Sequence, residues 1–351
     1  MFYHPAEKKI FFTALVLALI NIALLVGAWA LSSMATVYWV AYLFGVFVIQ
    51  FKISPYANTV QHSVAHSPVF KNSFLNACLS IFNALFNSKN PPFLWNVHHA
   101  LMHHLFNNGQ GDLSRTHQSK NKRYAVLPYM VKFTVEIVPI FTSVLKLFKN
   151  NPEEKNSDFI RKSDLKYLWI MPLLLVPYLA LIILLTLYAP LVGLTYAVGA
   201  VTTIFEVSGL NFLQHAWDTN QGSQFNTPYR TAEQILKSST TNVSANYNAR
   251  YGNAGHHAAH HLFPLAHWSE YPKISKQLIQ KAVAEAYDKE IFLYNTSRDS
   301  TVLILEYILL GSDAFFKKYR ITAEEALEIL DRDLSKASVS AQGQLASAAL
   351  A

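Results

Sequence analysis

Hydrophobic and polar positions divide the chain into long apolar runs separated by polar, charge-bearing stretches. Ile10 to Leu31 and Met34 to Phe51 are two such runs, parted only by the uncharged link Leu31-Ser32-Ser33-Met34, and each is long enough for a helix to cross a bilayer. A second pair runs from Tyr167 to Ala189 and from Pro190 to Leu210, with Pro190 and Gly193 marking the reversal. Backbone polar groups in lipid need partners within their own segment, so each run is expected to be helical. The pattern predicts an all-α membrane protein with at least four transmembrane helices in two hairpins. Phe74 to Phe86 and Val126 to Phe148 are shorter, or broken by Pro128, Lys132, Glu136 and Pro139, and are expected to lie in the membrane interface.

From Pro264 onward the pattern is that of a soluble cap. Ser269 is placed to open an amphipathic helix, and Thr322 with Glu325 matches a capping box before another. The stretch Ser338-Val339-Ser340-Ala341-Gln342-Gly343-Gln344 is expected to be disordered. Two parts follow: residues 1–264 as the membrane-embedded catalytic unit and 265–351 as a cytoplasmic helical extension with a disordered tail.

Composition agrees with the bilayer: 52% of residues are hydrophobic, 13% aromatic and only 15% charged. The net charge of +7 does not indicate nucleic acid, because Lys and Arg fall between apolar runs and form no patch interleaved with aromatics. Their distribution gives orientation instead. Lys8, Lys9 and Lys52 flank the first pair of runs, and Arg115, Lys120, Lys122, Arg123, Arg161, Lys162 and Lys166 lie between the pairs, whereas the turns within pairs carry none. Both termini are therefore expected on the cytoplasmic side. The first run follows lysines as a signal peptide would, but its length marks it as a retained span.

Cys78 is the only cysteine, so a disulfide within the chain and a cysteine metal site are both excluded. Fourteen histidines are present, mostly in tight groups. His62 and His66 stand four apart on a helix continuing from the second run, where two imidazoles share a face. In His99-Ala100-Leu101-Met102-His103-His104, His99 and His103 are expected to share a face and His104 to turn toward a second ion. His257, His260 and His261 fall on one stripe, and His215 ends the fourth run in Asn211-Phe212-Leu213-Gln214-His215, with an amide at Asn211 able to hold a water. The nine suffice for two ions with four or five nitrogens each. Any one pair alone is more often a solvated helix face; four groups on one expected membrane side are not. Imidazole ligation does not choose among zinc, copper, nickel and iron.

These residues resemble the histidine boxes of the integral-membrane fatty acid desaturase and hydroxylase superfamily, from about His62 to Pro264, with His260-His261-Leu262-Phe263-Pro264 especially similar. The resemblance implies a di-iron site held by His62, His66, His99, His103, His104, His215, His257, His260 and His261. It implies O2 as cosubstrate, and Asn211 at the position that holds a water on one iron. It further implies oxidation of an unactivated C–H bond in a lipid or fatty acyl chain, carried on coenzyme A, a carrier protein or a phospholipid. Two departures stand out: Ser63 follows the first histidine where many desaturases have an acidic residue, and three residues separate His99 from His103, as in alkane hydroxylases. Desaturation is the leading expectation and hydroxylation of an alkane, acyl, sterol or carotenoid chain the alternative.

His98 and His256 double box histidines, and His256 competes with His257 by pairing with His260 four residues on; family spacing favours His257. For His98 and His256 a hydrogen bond to a ligating ring, or plain surface exposure, is expected. Asp112 and Asp218 follow boxes closely and are placed to orient ligating rings, with solvated loop aspartates the alternative. Glu206 is ionisable within an apolar run, but its helical offset from His215 points it roughly the opposite way. His4, His117 and His267 receive no role. Lys52, Lys71, Lys89, Arg115, Lys120 and Arg123 could meet a phosphate-bearing head group, although topology explains most of them. With no haem module, cysteine set or glycine-rich nucleotide fingerprint, electrons are expected from an external ferredoxin or small cytochrome with its reductase. A histidine-rich metal transporter is the remote alternative, disfavoured because the boxes fall outside the apolar cores.

Overall fold

The computed structural model describes residues 2–109, 111–116, 124–136, 139–217 and 230–349, with only the backbone described at 136 and 337–349. Four helices are long and apolar enough to cross a membrane. α1 (Glu7–Leu31) and α2 (Thr36–His66) are joined by a short turn and pack along each other. After α3 (Ser73–Phe82) come two π-helical segments, Asn83–Ser88 and Asn96–His103, the second running into the single turn α4 (His104–Phe106). α5 (Val126–Glu136) and α6 (Ile140–Asn150) follow, with Pro139 at the start of α6 where its missing N–H costs nothing. α7 (Tyr167–Tyr188) and α8 (Pro190–His215) are the other two long helices, and Pro190 again sits at a helix start.

The helices begin and end near the predicted runs, but α2 continues well past Phe51, through Pro55 to His66. Pro55 leaves the Phe51 carbonyl without its helical donor, and on either side the Ser54 and Thr59 hydroxyls donate back to the carbonyls of Gln50 and Pro55. Outward side chains on α7 remain bare: Leu173 is 74% exposed, Val176 70% and Tyr188 81%. An apolar surface of that extent is a lipid-facing belt rather than a water-facing one. α8 is the most enclosed of the four and packs on α1, α2, α5 and α7.

The remainder forms a cap on the end of the bundle where α2 and α8 present His66 and His215. α9 (Ala232–Ser238), opened by a Thr231/Gln234 capping box, leads into β1 (Thr240–Asn242), α10 (Ala245–Arg250) and α11 (His257–Leu262). Then come α12 (Tyr271–Ala284), β2 (Phe292–Tyr294), α13 (Ser300–Leu310), α14 (Ser312–Tyr319), β3 (Arg320–Ile321) and α15 (Ala323–Ala349). The chain is mostly helical but not all-α. β1 pairs parallel with β2 (Thr240 with Phe292, Asn242 with Tyr294), and β2 antiparallel with β3 (Leu293 with Ile321). Chain segments on both sides of Pro264 thus share one sheet.

The capping box before the last helix is present: Glu325 N–H donates to Thr322 Oγ1 at 3.2 Å, and Thr322 N–H to Glu325 Oε2 at 2.8 Å. The helix it opens differs from expectation at its far end. α15 carries on through the stretch read as disordered to Ala349, a span rich in alanine, the strongest helix former.

Candidate metal centre

The four histidine groups meet at the junction of bundle and cap. Their ring nitrogens form two sets, each lying within 4.8 Å of one another: His62, His66, His99, His104 and His260 in one, and His103, His215, His257 and His261 in the other. Eight of the nine are buried and His62 nearly so. α2 supplies the first pair, the second π segment and α4 the next three, the end of α8 His215, and α11 the last three.

The division within the second box differs from the helical-wheel expectation. His99 and His104 face each other, with Nε2 atoms 3.0 Å apart, while His103 turns to the other set, 3.3 Å from His215 Nε2. The physical reason is the π register. In a π turn the hydrogen bonds run from i to i+5, and the wider turn sets His103 and His104 on opposite sides of the line through His99, so the two rings enter different sets. In α11 the ordinary register holds: His257 and His261, four apart, join one set and His260 the other.

Outer hydrogen bonds fix which nitrogen faces inward. His103 Nδ1 lies 2.7 Å from Asp112 Oδ2, His215 Nδ1 2.8 Å from the Ser238 carbonyl, and His260 Nδ1 2.9 Å from the Tyr271 hydroxyl. His261 Nδ1 meets Asn107 Oδ1. Asp112 is itself held by Ser114 N–H at 2.8 Å, Ser114 Oγ at 2.6 Å and Asn108 N–H at 3.0 Å. Asn107 and Asn108 both adopt left-handed backbone, which asparagine tolerates, and this sharp bend brings Asn107 to His261 and Asn108 N–H to Asp112. β1 begins two residues after Ser238, so the small sheet lies close to the carbonyl that orients His215.

The donor sets fit metal ions. Nε2 atoms face one another at 2.8 Å (His62, His260) and 3.0 Å (His215, His257), while His66 Nε2 and His261 Nε2 are buried with no hydrogen-bond partner among the described residues. Burial first, and neighbouring imidazoles second, hold His99, His104, His257, His260 and His261 well below the ordinary imidazole pKa. These rings are therefore neutral at neutral pH, the form that ligates metal. Burial alone would raise the Asp112 carboxyl, but His103, Ser114 and His98 outweigh it and hold it below the usual carboxylate range. An ionised Asp112 accepts the His103 Nδ1 proton and makes that ring a stronger donor.

Other expected residues fall as follows. Asn211 lines a cavity of about 60 Å³ that also meets His62, His99 and His257; its amide nitrogen donates to the Ser114 carbonyl at 3.2 Å and to the Tyr129 hydroxyl. Asp218 lies outside the described residues, as do His117, Lys120 and Arg123. Surface exposure does not hold for His98 or His256: they are 7% and 2% exposed, His98 lining the cavity and His256 leaving Nδ1 without a partner among the described residues. Glu206, despite its offset, also lines that cavity, hydrogen-bonded by Asn58 and Ser300.

Lys89 corrects both readings given to it. It is buried, with Nζ donating to Asn21 Oδ1 at 2.6 Å, Gln50 Oε1 at 3.2 Å and the Asn87 carbonyl at 3.3 Å, and it crosses α8 where Gly199 leaves room for its stem. It tethers α1 and α2 and neither meets a head group nor marks a cytoplasmic loop. His267 pairs with Glu7 at 2.8 Å and His4 packs on its ring, away from the metal centre. Asn107, Ser114, Ser238 and Tyr271 carried no signal in sequence, since each acts through a fold-dependent contact.

A helical bundle with a lipid-facing belt, carrying two all-imidazole donor sets at one end, is the framework of a membrane-bound metal oxidoreductase. The chain belongs to the fatty acid desaturase family, whose sequence profile matches residues 38–294, more than half its length. Searches of curated proteins and of solved structures return no match. The family is one of di-iron oxidoreductases acting on fatty acyl and related lipid chains, by desaturation or hydroxylation.

Proposed function

We propose that this protein is an O2-dependent lipid oxidase that introduces a carbon–carbon double bond into a fatty acyl chain, with His62, His66, His99, His104 and His260 holding one iron and His103, His215, His257 and His261 the other. The observation that carries the reading is the inward convergence of those rings beside a cavity leading to the bundle interior. Iron supplies the redox chemistry needed to take hydrogen from an unactivated carbon, which no side chain can do. The protein's own work is to hold the rings neutral and oriented, through Asp112, Ser238, Tyr271 and Asn107, and to keep the alkyl chain straight and dry. Asn211 would reach the site through a water, and His98 and His256 are not ligands.

Behind the metal-facing cavity lies a second of about 200 Å³, lined by Leu94, Tyr178, Ala200, Ile204 and Val207 among others. Its position between α7 and α8 supports entry of an apolar chain from the bilayer. The boxes and both termini are assigned to the cytoplasmic side from the Lys and Arg distribution, with the region after Pro264 as a cytoplasmic cap and α5 and α6 in the interface. Electrons come from a separate iron–sulfur or haem protein docking there. Hydroxylation remains the second reading, favoured by the three residues between His99 and His103.

The test is expression in a bacterial host with a ferredoxin and its reductase, with bound metal and cellular lipids measured against a His103→Ala control. Lipids lighter by two hydrogens support desaturation, and lipids heavier by one oxygen support hydroxylation. Turnover-competent protein holding zinc and no iron would refute the cofactor assignment.

A further inference from the structure

The metal-facing cavity and the deeper one share a neck formed by Asn58, Trp95, His98, Phe133 and Val207. A channel for a plain saturated chain is served best by hydrocarbon walls, because a buried polar group without a partner costs free energy. Three of the five neck residues nonetheless carry hydrogen-bonding capacity the protein leaves unused.

Trp95 Nε1–H is buried and has no acceptor among the described residues. Its ring is stacked on His99, centroids 4.9 Å apart and planes at 25°, so it cannot swing away without disturbing a ring of the metal centre. His98 belongs to neither imidazole set and makes no hydrogen bond among the described residues; Phe133 meets it edge-on at 5.1 Å. Asn58 commits its amide nitrogen to Glu206 and, at 3.2 Å, to the Thr203 carbonyl, while its Oδ1 accepts from no described residue. A donor, a ring that serves as donor or acceptor, and an acceptor thus surround one short length of channel. Of the three, Trp95 Nε1–H is the buried group without a partner among the described residues, and a ligand in the neck would complete it.

We infer that the neck recognises an oxygen function, a hydroxyl or a carbonyl, carried within the chain of the substrate, so that the preferred substrate is a lipid already oxygenated along its length. A hydroxyl there accepts from Trp95 Nε1–H and donates to Asn58 Oδ1; a carbonyl accepts from Trp95 and His98. Asn58 lies four residues before His62 on α2, a rise of about 6 Å. The oxygen therefore stands a few carbons from the position facing the metals. The inference rests on reading the two cavities as the lipid site.

The experiment is equilibrium binding to the full chain in lipid nanodiscs, loaded with zinc so that no turnover occurs. The probes are methyl stearate and its monohydroxy and monoketo positional isomers. One isomer, or a run of neighbouring ones, is expected to bind about tenfold tighter than methyl stearate, the effect of one net hydrogen bond. Trp95→Phe and His98→Phe should each lower the ratio of the favoured isomer's affinity to that of methyl stearate, whatever either change does to methyl stearate itself. Equal affinity for methyl stearate and every isomer in the wild type, as when the neck holds only water, overturns the inference and leaves the oxidase reading intact. Should either variant fail to fold, the wild-type positional scan decides alone. Absence of binding by any probe overturns the lipid-site reading together with the inference.

Discussion

Replacing Asp112 by alanine removes the acceptor that faces His103 Nδ1 at 2.7 Å and leaves that N–H in a site with no solvent exposure. The same change frees Ser114 and the Asn108 N–H, so the loop that shapes the second box loses its central acceptor. Removing the partner of a ligating imidazole typically weakens metal binding ~10–100-fold, or about 1.4–2.7 kcal/mol. Ser114 Oγ stands 3.0 Å from the same nitrogen and can take over in part, which places the expected loss near the lower end, about tenfold. The loss should be confined to the ion of the four-imidazole set containing His103, because Asp112 touches no ring of the other set. Iron would be measured after competition with a graded series of chelators, and wild-type protein should release its two ions in a pattern that the variant splits. A chelator profile unchanged from wild type, or equal weakening of both ions in folded protein, would refute the reasoning.

Tyr271→Phe removes the hydroxyl 2.9 Å from His260 Nδ1 and should weaken the five-imidazole set by about tenfold while sparing the other, the reverse of the Asp112 pattern in the same assay. Metal-free protein should lose stability as pH falls, because burial lowers His98 to about 4 and His256 to about 3. In the unfolded chain each takes a proton near ~6.5, so below that value the unfolded state holds more protons and is favoured; stability is intact above ~6.5 and drains away toward about 4. For His98 the full loss is roughly 3 kcal/mol, and denaturant midpoints measured across this range in wild type and His98→Phe should show a shallower slope in the variant. Ala200→Phe fills part of the inner cavity of about 200 Å³ and should shift bound and converted chains toward shorter ones; an unaltered chain-length profile by mass spectrometry would count against that cavity as the chain's seat.

The four long helices were legible because twenty-residue apolar runs leave the backbone one solution in lipid. The convergence of nine histidines was foreshadowed by their grouping near the ends of those runs. What could not be read was anything decided by contacts distant in sequence. Strands of two or three residues, such as Arg320–Ile321, show too little alternation to be distinguished from loop. Lys89 looks like a loop cation in sequence because nothing in its neighbourhood reveals Asn21 and Gln50 as partners. A helical wheel for α8 alone turns Glu206 away from His215, whereas its surroundings are made by α2 and α13. The π register of the second box was invisible for a different reason: over eight residues a repeat of four and one of five give nearly the same pattern of apolar positions.

That register means one short stretch of backbone serves two masters. Straightening Asn96–His103 into an ordinary helix, by withdrawing a single residue, would swing His103 and His104 relative to His99 and so misalign both donor sets at once. If each donor set takes an ion, both would depend on the same short stretch of backbone, so a change there would disturb the two sites together.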